Sequence, residues 1–163
     1  MNPEGIGHRK ARNRDSETIQ HILKNTLAEY EIQLPDNYSF SDIENLEEVY
    51  LNSGGEFIVL LKEQTIIGFF ALLPSGNHQI ELKRLYFKAD ERGQGLGKHL
   101  LTMALKIAKE SGYNRIHLET TSKFAEAVAL YRKFGFKTNV GATLSPGHEI
   151  GLKLELLSKG VTS

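Results

Sequence analysis

The stretch RGQGLGK at residues 92–98 carries more information about the fold than any other part of the chain. It joins a predicted strand to a predicted helix, and its glycines can adopt backbone angles that other residues avoid. Free N–H groups at a helix start, and the positive end of the helix dipole, attract anions. Arg92 and Lys98 add mobile positive charge nearby. Together these features predict a loop that binds a phosphate group.

The glycine spacing distinguishes this loop from two common nucleotide-binding motifs. The dinucleotide fingerprint follows G-x-G-x-x-G, whereas the glycines here follow G-x-G-x-G. A P-loop has four residues between its glycines and a serine or threonine after the lysine. Here three residues separate Gly93 from Gly97, and His99 follows the lysine. The alternative interpretation is a tight strand-to-helix turn that binds no ligand.

The sequence before the loop predicts a short strand, two helices and three further strands. The first strand lies near residues 6–11. Asp15, and later Ser41 or Asp42, are typical helix N-caps, and each is followed by apolar residues at helical spacing. The other strands form a meander with short turns, at residues 57–61, 66–73 and 79–87.

The sequence after the loop predicts two more helices and three more strands. An apolar helical stripe runs from Leu96 to Ala108. A second helix has Ser122 as its N-cap and ends before Gly135. Strands are predicted at residues 115–121, 136–140 and 148–157. This order of elements predicts a mixed α/β sheet with helices on both faces.

Composition excludes several classes of function. The length suits one domain, which we place at residues 1–163 with a core at about 6–157. Twenty basic and 20 acidic residues give zero net charge, which argues against nucleic-acid and membrane partners. Because the chain has no cysteine, disulfides, cysteine-ligated zinc, iron–sulfur clusters and thiolate nucleophiles are excluded. We also expect no metal cofactor. The chain has neither an N-terminal apolar signal region nor the ~20 apolar residues of a spanning helix, so we expect a cytoplasmic protein.

The loop resembles the R/Q-x-x-G-x-G/A signature of the GNAT superfamily of acetyl-CoA-dependent N-acyltransferases. Residues 82–87 resemble the strand before this signature, and LYRKFGF at residues 130–136 resembles the family's L-Y-x-x-x-G-F element. The resemblance covers residues 79–136, and more loosely residues 6–157. It implies a mixed, largely antiparallel central sheet that is splayed in the middle, with helices on both faces.

The resemblance also implies acetyl-CoA as the co-substrate. In this superfamily the loop holds the pyrophosphate, and the pantetheine arm pairs with the preceding strand, which carries a bulge. Here the apolar alternation changes phase between Leu82 and Leu85, as an inserted residue requires, although a strand buried on both faces is the alternative. The cofactor-binding residues that the resemblance implies are Leu85, Tyr86, Phe87, Arg92, Gly93, Gln94, Gly95, Leu96, Gly97 and Lys98.

Acyl transfer from a thioester to an amine needs a base for the amine and an acid for the leaving thiolate. Tyr131 occupies the position of the family's general acid, and a phenol with a pKa of about 10 suits a thiol leaving group. Its alternative role is that of a core aromatic residue. Glu81 occupies the position of a water-linked general base, with Glu119 as its rival. Either glutamate could instead be solvated, or paired with Lys83 or Arg84.

Other polar and aromatic residues carry weaker signals. A lone strand histidine such as His117 is interpreted as structural. Phe124 stands where many members of the superfamily have an asparagine that touches the pantetheine, which leaves that contact open. The N-terminal helices would form one wall of the amine site. The candidates there, which could equally be surface residues, are Glu29, Tyr30, Glu31, Tyr38 and Tyr50.

The resemblance therefore implies an enzyme that acetylates a primary amine. Without a cysteine to carry the acetyl group, direct transfer in a ternary complex is expected. The first candidate acceptor is a small molecule, such as an amino acid or a polyamine-like amine. Peptide or protein amines are the rival acceptors, and a non-catalytic acyl-CoA sensor is the rival function. The sequence is compatible with a homodimer and does not specify the acceptor.

Overall fold

A seven-stranded sheet forms the centre of the protein, in the strand order β1-β2-β3-β4-β5-β7-β6. The structure is a computed structural model that describes residues 5–156. All neighbouring strands are antiparallel except β4 and β5, which are parallel, so the prediction of a mixed, largely antiparallel sheet is confirmed. The strands are β1 (Ile6–Lys10), β2 (Glu56–Lys62), β3 (Thr65–Gly76), β4 (Gln79–Phe87), β5 (Arg115–Thr120), β6 (Lys137–Thr138) and β7 (Ile150–Glu155).

Helices cover both faces of this sheet, as predicted. Alternate side chains of a strand point to opposite faces, so neighbouring residues of β2 enter two separate apolar cores. Phe57 packs in the core beneath the first two helices, and Ile58 packs in the core beneath the other two. The helices are α1 (Ser16–Glu29), α2 (Ser41–Glu44), α3 (Leu96–Glu110) and α4 (Ala125–Lys133), with a π-helical turn at Glu47–Leu51.

The middle of the sheet is bulged and splayed. Along β3, Leu72 is paired with Leu82 and Ala71 with Arg84, so Lys83 is an extra residue in β4. This bulge confirms the phase change seen in the sequence. The parallel pairing of β4 with β5 covers only Gln79 to Glu81, and beyond it β5 is paired with β7 alone. The two strands therefore diverge and leave a cleft between them.

Several predicted boundaries were wrong. The strand predicted at residues 136–140 is reduced to β6, and the last strand begins at Ile150 rather than at residue 148. Leu157, the predicted end of that strand, lies outside the described residues, as do residues 1–4 and 158–163 of the proposed domain. Ser122 does not cap α4, because its backbone N–H and hydroxyl both donate to Glu149.

The starts of the first two helical segments also differ from their predicted caps. Asp15 precedes α1 but does not cap it, because its carboxylate accepts hydrogen bonds from Arg9 and from the backbone N–H of Arg12. The second predicted helix is divided, since Asn45 leaves the helical region between α2 and the π-helical turn.

Candidate active site

The divergence of β4 and β5 opens a cavity of about 330 Å³, which we call the splay cavity. It is walled by both strands, by the loop before α3 and by α4. Nine of the ten predicted cofactor-binding residues line it. The exception is Gln94, whose side-chain amide instead donates to Glu91 at 3.0 Å. Tyr131 lines the same cavity, whereas Glu81 does not.

The glycine loop leaves open space where a ligand would approach its backbone. Gly93 and Gly95 have φ angles of 80° and 75°, in the left-handed region that glycine adopts readily. A Cβ atom at either position would have no protein atom within 4 Å. Gly95 immediately precedes α3, so the free N–H groups of the first helical turn lie at the edge of the cavity. This geometry fits the binding of an anion such as a phosphate.

Arg92 is not the mobile cation that the sequence predicted. Its guanidinium donates two hydrogen bonds to the carboxylate of Glu29 at the end of α1, one of them from Nη2 to Oε1 at 2.7 Å. It also lies 5.2 Å from the centre of the Tyr30 ring. The hydrogen bond from Arg92 lowers the pKa of Glu29. Among the described residues Lys98 forms no ion pair, so it is the loop's uncommitted cation.

Tyr131 belongs both to the apolar core and to the cavity wall. It is 7% exposed, and its ring lies 5.6 Å from that of Phe136. Burial raises the pKa of its phenol, so the hydroxyl stays protonated at neutral pH. Within residues 5–156 no group forms a hydrogen bond with this hydroxyl. A neutral phenol that borders a cavity can donate a proton to a bound molecule.

A second cavity of about 310 Å³, which we call the polar cavity, adjoins the same pair of strands. Three residues line both cavities: Lys83, Leu118 and Glu119. The two cavities therefore meet at the strands that splay apart. The other residues that line the polar cavity are Glu81, His117, Asn139, Ala142, Thr143, Ser145 and Gly151.

The titratable side chains of the polar cavity differ in whether they have hydrogen-bond partners within the protein. Glu119 accepts a hydrogen bond from the backbone N–H of Ser145 at 3.1 Å, and its other oxygen lies 3.5 Å from Nδ1 of His148. His117 is hydrogen-bonded to the Ser75 hydroxyl at 2.8 Å, which fits its structural interpretation. Glu81 forms no side-chain hydrogen bond or ion pair with a described residue.

Arg84, which was considered as a partner of Glu81 or Glu119, is hydrogen-bonded to other residues. Its guanidinium donates to both oxygens of Asp42, at 3.0 and 3.1 Å, and to the hydroxyl of Tyr38 at 3.0 Å. Tyr50 donates to the same aspartate at 2.6 Å. Of the five residues considered for the amine-site wall, Tyr38 and Tyr50 thus belong to this network, and Glu29 is hydrogen-bonded to Arg92. No sequence signal pointed to this network.

The aromatic residue that replaces the family's asparagine closes one side of the splay cavity. Phe124 lines that cavity and packs edge-on against Tyr30 and Tyr86, at ring distances of 4.9 and 5.9 Å. It supplies an apolar surface there and no hydrogen-bonding group. Burial raises the pKa of Tyr86 to about 12, so its phenol is also neutral at physiological pH.

Two kinds of structural feature are absent from the described residues 5–156. No group of three or more histidine, aspartate or glutamate side chains is arranged to hold a metal ion within that range. None of the helices described there is long and apolar enough to span a membrane.

Comparison with known proteins identifies the family. A sequence model described as the acetyltransferase (GNAT) family matches residues 21–136, which is most of the chain. The chain belongs to this family. The N-acetyltransferase YjgM of Escherichia coli is 32% identical over 140 residues, which cover 83% of this chain and 84% of that protein. This GNAT protein is therefore an acyltransferase enzyme that depends on acetyl-CoA.

Solved structures show the same fold. A GNAT-family acetyltransferase from Staphylococcus aureus superposes with a TM-score of 0.85 at 24% identity, covering 93% of this chain and 99% of that one. The PaiA N-acetyltransferase of Thermoplasma acidophilum, solved in complex with coenzyme A, has a TM-score of 0.66 at 26% identity. That match covers 92% of this chain and 98% of the PaiA chain.

Proposed function

We propose that this GNAT enzyme transfers the acetyl group of acetyl-CoA directly to a primary amine of a small molecule. The observation that carries the proposal is the pair of cavities that share Lys83, Leu118 and Glu119. One cavity has an anion-binding loop at its edge and the other is lined by carboxylates, so two substrates can meet at the splay. The chain has no cysteine to carry the acetyl group, which favours transfer within a ternary complex.

The splay cavity would hold acetyl-CoA. The N–H groups at the start of α3 and the ammonium of Lys98 would bind the pyrophosphate. Beyond the bulge, residues Leu85, Tyr86 and Phe87 are not paired with β5, so that edge of β4 is free for the pantetheine amides. Leu96, Gly97 and Leu130 complete an apolar wall beside it.

The chemistry would need two proton transfers. The amine nitrogen attacks the thioester carbonyl, the carbon–sulfur bond breaks, and the sulfur leaves with the bonding electrons. We assign Tyr131 to protonate that sulfur, because its neutral phenol borders the splay cavity. A carboxylate at the polar cavity takes the proton that the amine loses, through a water molecule.

Two carboxylates compete for the role of base. Glu81 is the first candidate, since no described residue occupies its carboxylate. Glu119 is the rival, because it lines both cavities and is nearer to where they meet. Against Glu119 stands its hydrogen bond with the Ser145 N–H, which already occupies one of its carboxylate oxygens.

The size of the polar cavity favours a small acceptor over a peptide. A volume of about 310 Å³ is at the lower end of pockets for small molecules. The loop after β6, which supplies Asn139, Thr143 and Ser145, borders it. A peptide acceptor would need an open groove along this face.

Acetyl-CoA-dependent release of free thiol with a panel of acceptors tests the proposal. The panel holds free amino acids, amino-acid amides, polyamines and peptides with free N-termini. We expect turnover with at least one small amine. Turnover with peptides alone would contradict the small-molecule acceptor, and acetyl-CoA binding without turnover of any amine would identify a sensor.

A further inference from the structure

The polar cavity contains charges of both signs that the protein itself does not neutralise. Glu81 is half-buried and Lys83 follows two residues later in β4, and both side chains line this cavity. Within residues 5–156, neither forms an ion pair with the other or with any third residue. Both groups are therefore available to charged groups of a bound molecule.

Lys83 is the basic residue of the polar cavity, and it forms no ion pair with a described residue. Arg84, the next residue, is directed to Asp42 and Tyr38 on another side of β4. The bulge causes Lys83 and Arg84 to contact different parts of the protein, because the extra residue breaks the alternation of side chains along β4. Among the described residues that line the polar cavity, Lys83 is the only lysine or arginine.

We propose that the acceptor carries a carboxylate as well as the reacting amine, as a free amino acid does, and that Lys83 binds that carboxylate. This inference rests on the proposed function. A zwitterion would neutralise both charges at once, with its ammonium beside Glu81 and its carboxylate beside Lys83. In an α-amino acid the amine is on the carbon next to the carboxylate. Because Lys83 lines both cavities, anchoring the carboxylate there places the amine at the shared edge.

The same arrangement discriminates against polyamines. A second ammonium group in the position that the acceptor's carboxylate would take is repelled by Lys83. An amino-acid amide keeps the reacting amine but offers Lys83 no negative charge. Lys83 is therefore assigned as a specificity-determining residue for the acceptor.

Matched pairs of acceptors test this assignment. We would measure kcat/KM for L-amino acids and for their amides, with the wild type and with Lys83→Met. The wild type should prefer the acid by about tenfold or more, and Lys83→Met should lose about 10- to 100-fold on the acid, mainly through KM. Its activity on the amide and its KM for acetyl-CoA should be nearly unchanged. Lys83→Arg should recover part of the preference.

Lys106→Met is the matched control, because this exposed lysine of α3 lines neither cavity. Lys83 is exposed, so melting curves should show both variants folded. An equal loss on acid and amide, or a raised KM for acetyl-CoA, would overturn the role of Lys83 as a carboxylate anchor. Turnover of amides or polyamines but not of acids would overturn this inference alone, whereas no turnover of any amine would also overturn the proposed function.

Discussion

Tyr131 is the residue for which the structural and the catalytic roles can be separated most cleanly. Tyr131→Phe removes the hydroxyl and keeps the ring that packs against Phe136. If the hydroxyl protonates the leaving sulfur, kcat should fall by roughly 10²-fold or more while KM for acetyl-CoA changes much less. Steady-state kinetics with a competent amine, beside melting curves, would measure this.

Tyr113→Phe is the control for Tyr131, because Tyr113 packs against the same core but lines neither cavity. It should keep the wild-type kcat. A Tyr131→Phe enzyme with wild-type kcat would show that Tyr131 is only a core residue. The fold and the cofactor site would be unaffected by that result.

The pH dependence of kcat distinguishes the two candidate bases, Glu81 and Glu119. If Glu81 accepts the amine proton, Glu81→Gln should lower kcat at neutral pH and recover part of the loss at high pH, where more free amine exists. Glu119→Gln should then show a smaller effect with no such recovery. The pH profiles of kcat for both variants measure the difference. The reverse pattern would assign the role to Glu119, and unchanged profiles for both would mean that the enzyme has no dedicated base.

At the scale of single residues the sequence predicted which positions line the cleft better than which contacts they make. Tyr131 was located because its motif fixes its place on a helix beside the loop. The pairing of Arg92 with Glu29 was missed, since the two residues are 63 positions apart and no local pattern joins them. Lys83 was located as part of a phase change, but only the folded bulge shows which cavities it borders.

Among the elements, the C-terminal end of α1 contacts two segments next to the splay cavity. Glu29 binds Arg92 of the glycine loop, and the backbone carbonyl of Glu31 accepts a hydrogen bond from Lys123 at 2.9 Å. Tyr30 lies between them against Phe124. The C-terminal end of α1 thus contacts both the loop before α3 and the segment before α4.

Glu29 and a bound pyrophosphate should compete for Arg92. We expect Glu29→Gln to lower the Kd for acetyl-CoA by several-fold, because the guanidinium is released to the phosphate. Glu31→Gln is the matched control, since Glu31 contributes its backbone carbonyl rather than its carboxylate. Calorimetric titrations at low and high salt would measure both. Weaker binding by Glu29→Gln would contradict competition and show that Glu29 instead positions Arg92 for the ligand.

A strand or helix was predictable where the local sequence pattern determines it. Its bounds were not predictable where tertiary contacts determine them. The bulge in β4 was visible because strand side chains alternate with a period of two. The short β6 and the late start of β7 were not visible in the sequence. The loop between these strands is held by two tertiary hydrogen bonds, from Ser145 to Glu119 and from Ser122 to Glu149.

Across the whole molecule, buried phenols should make stability fall at alkaline pH. Burial raises the pKa of Tyr50, Tyr86 and Tyr131, that of Tyr86 to about 12. Above about pH 10 the unfolded chain loses these protons while the folded chain keeps them, so the free energy of unfolding falls. Each tyrosine contributes up to about 1.4 kcal/mol per pH unit. Urea denaturation at pH 9, 10 and 11 should show a shallower fall for Tyr131→Phe than for the wild type. The same slope in both would contradict the raised pKa.

The order of elements predicted a mixed sheet with helices on both faces, and the change of phase along β4 predicted the bulge. The splay between β4 and β5 was implied only by the resemblance of the glycine loop to the GNAT signature. The acceptor site was not predictable, because its walls come from β4, β5, β7 and the loop after β6, whose side chains meet only in the folded chain.

The glycine loop as the acetyl-CoA site is tested by the effect of acetyl-CoA on the melting temperature of the wild type, Gly95→Asn and Gly95→Glu. At a hundredfold excess over Kd, binding should stabilise the wild type by about 2.7 kcal/mol, which is several degrees. Gly95→Asn tolerates the left-handed backbone and adds no charge, so it should keep most of the shift. Gly95→Glu puts a negative charge where the phosphate must approach, and its shift should disappear. An undiminished shift in Gly95→Glu would contradict the assignment of this loop as the pyrophosphate site.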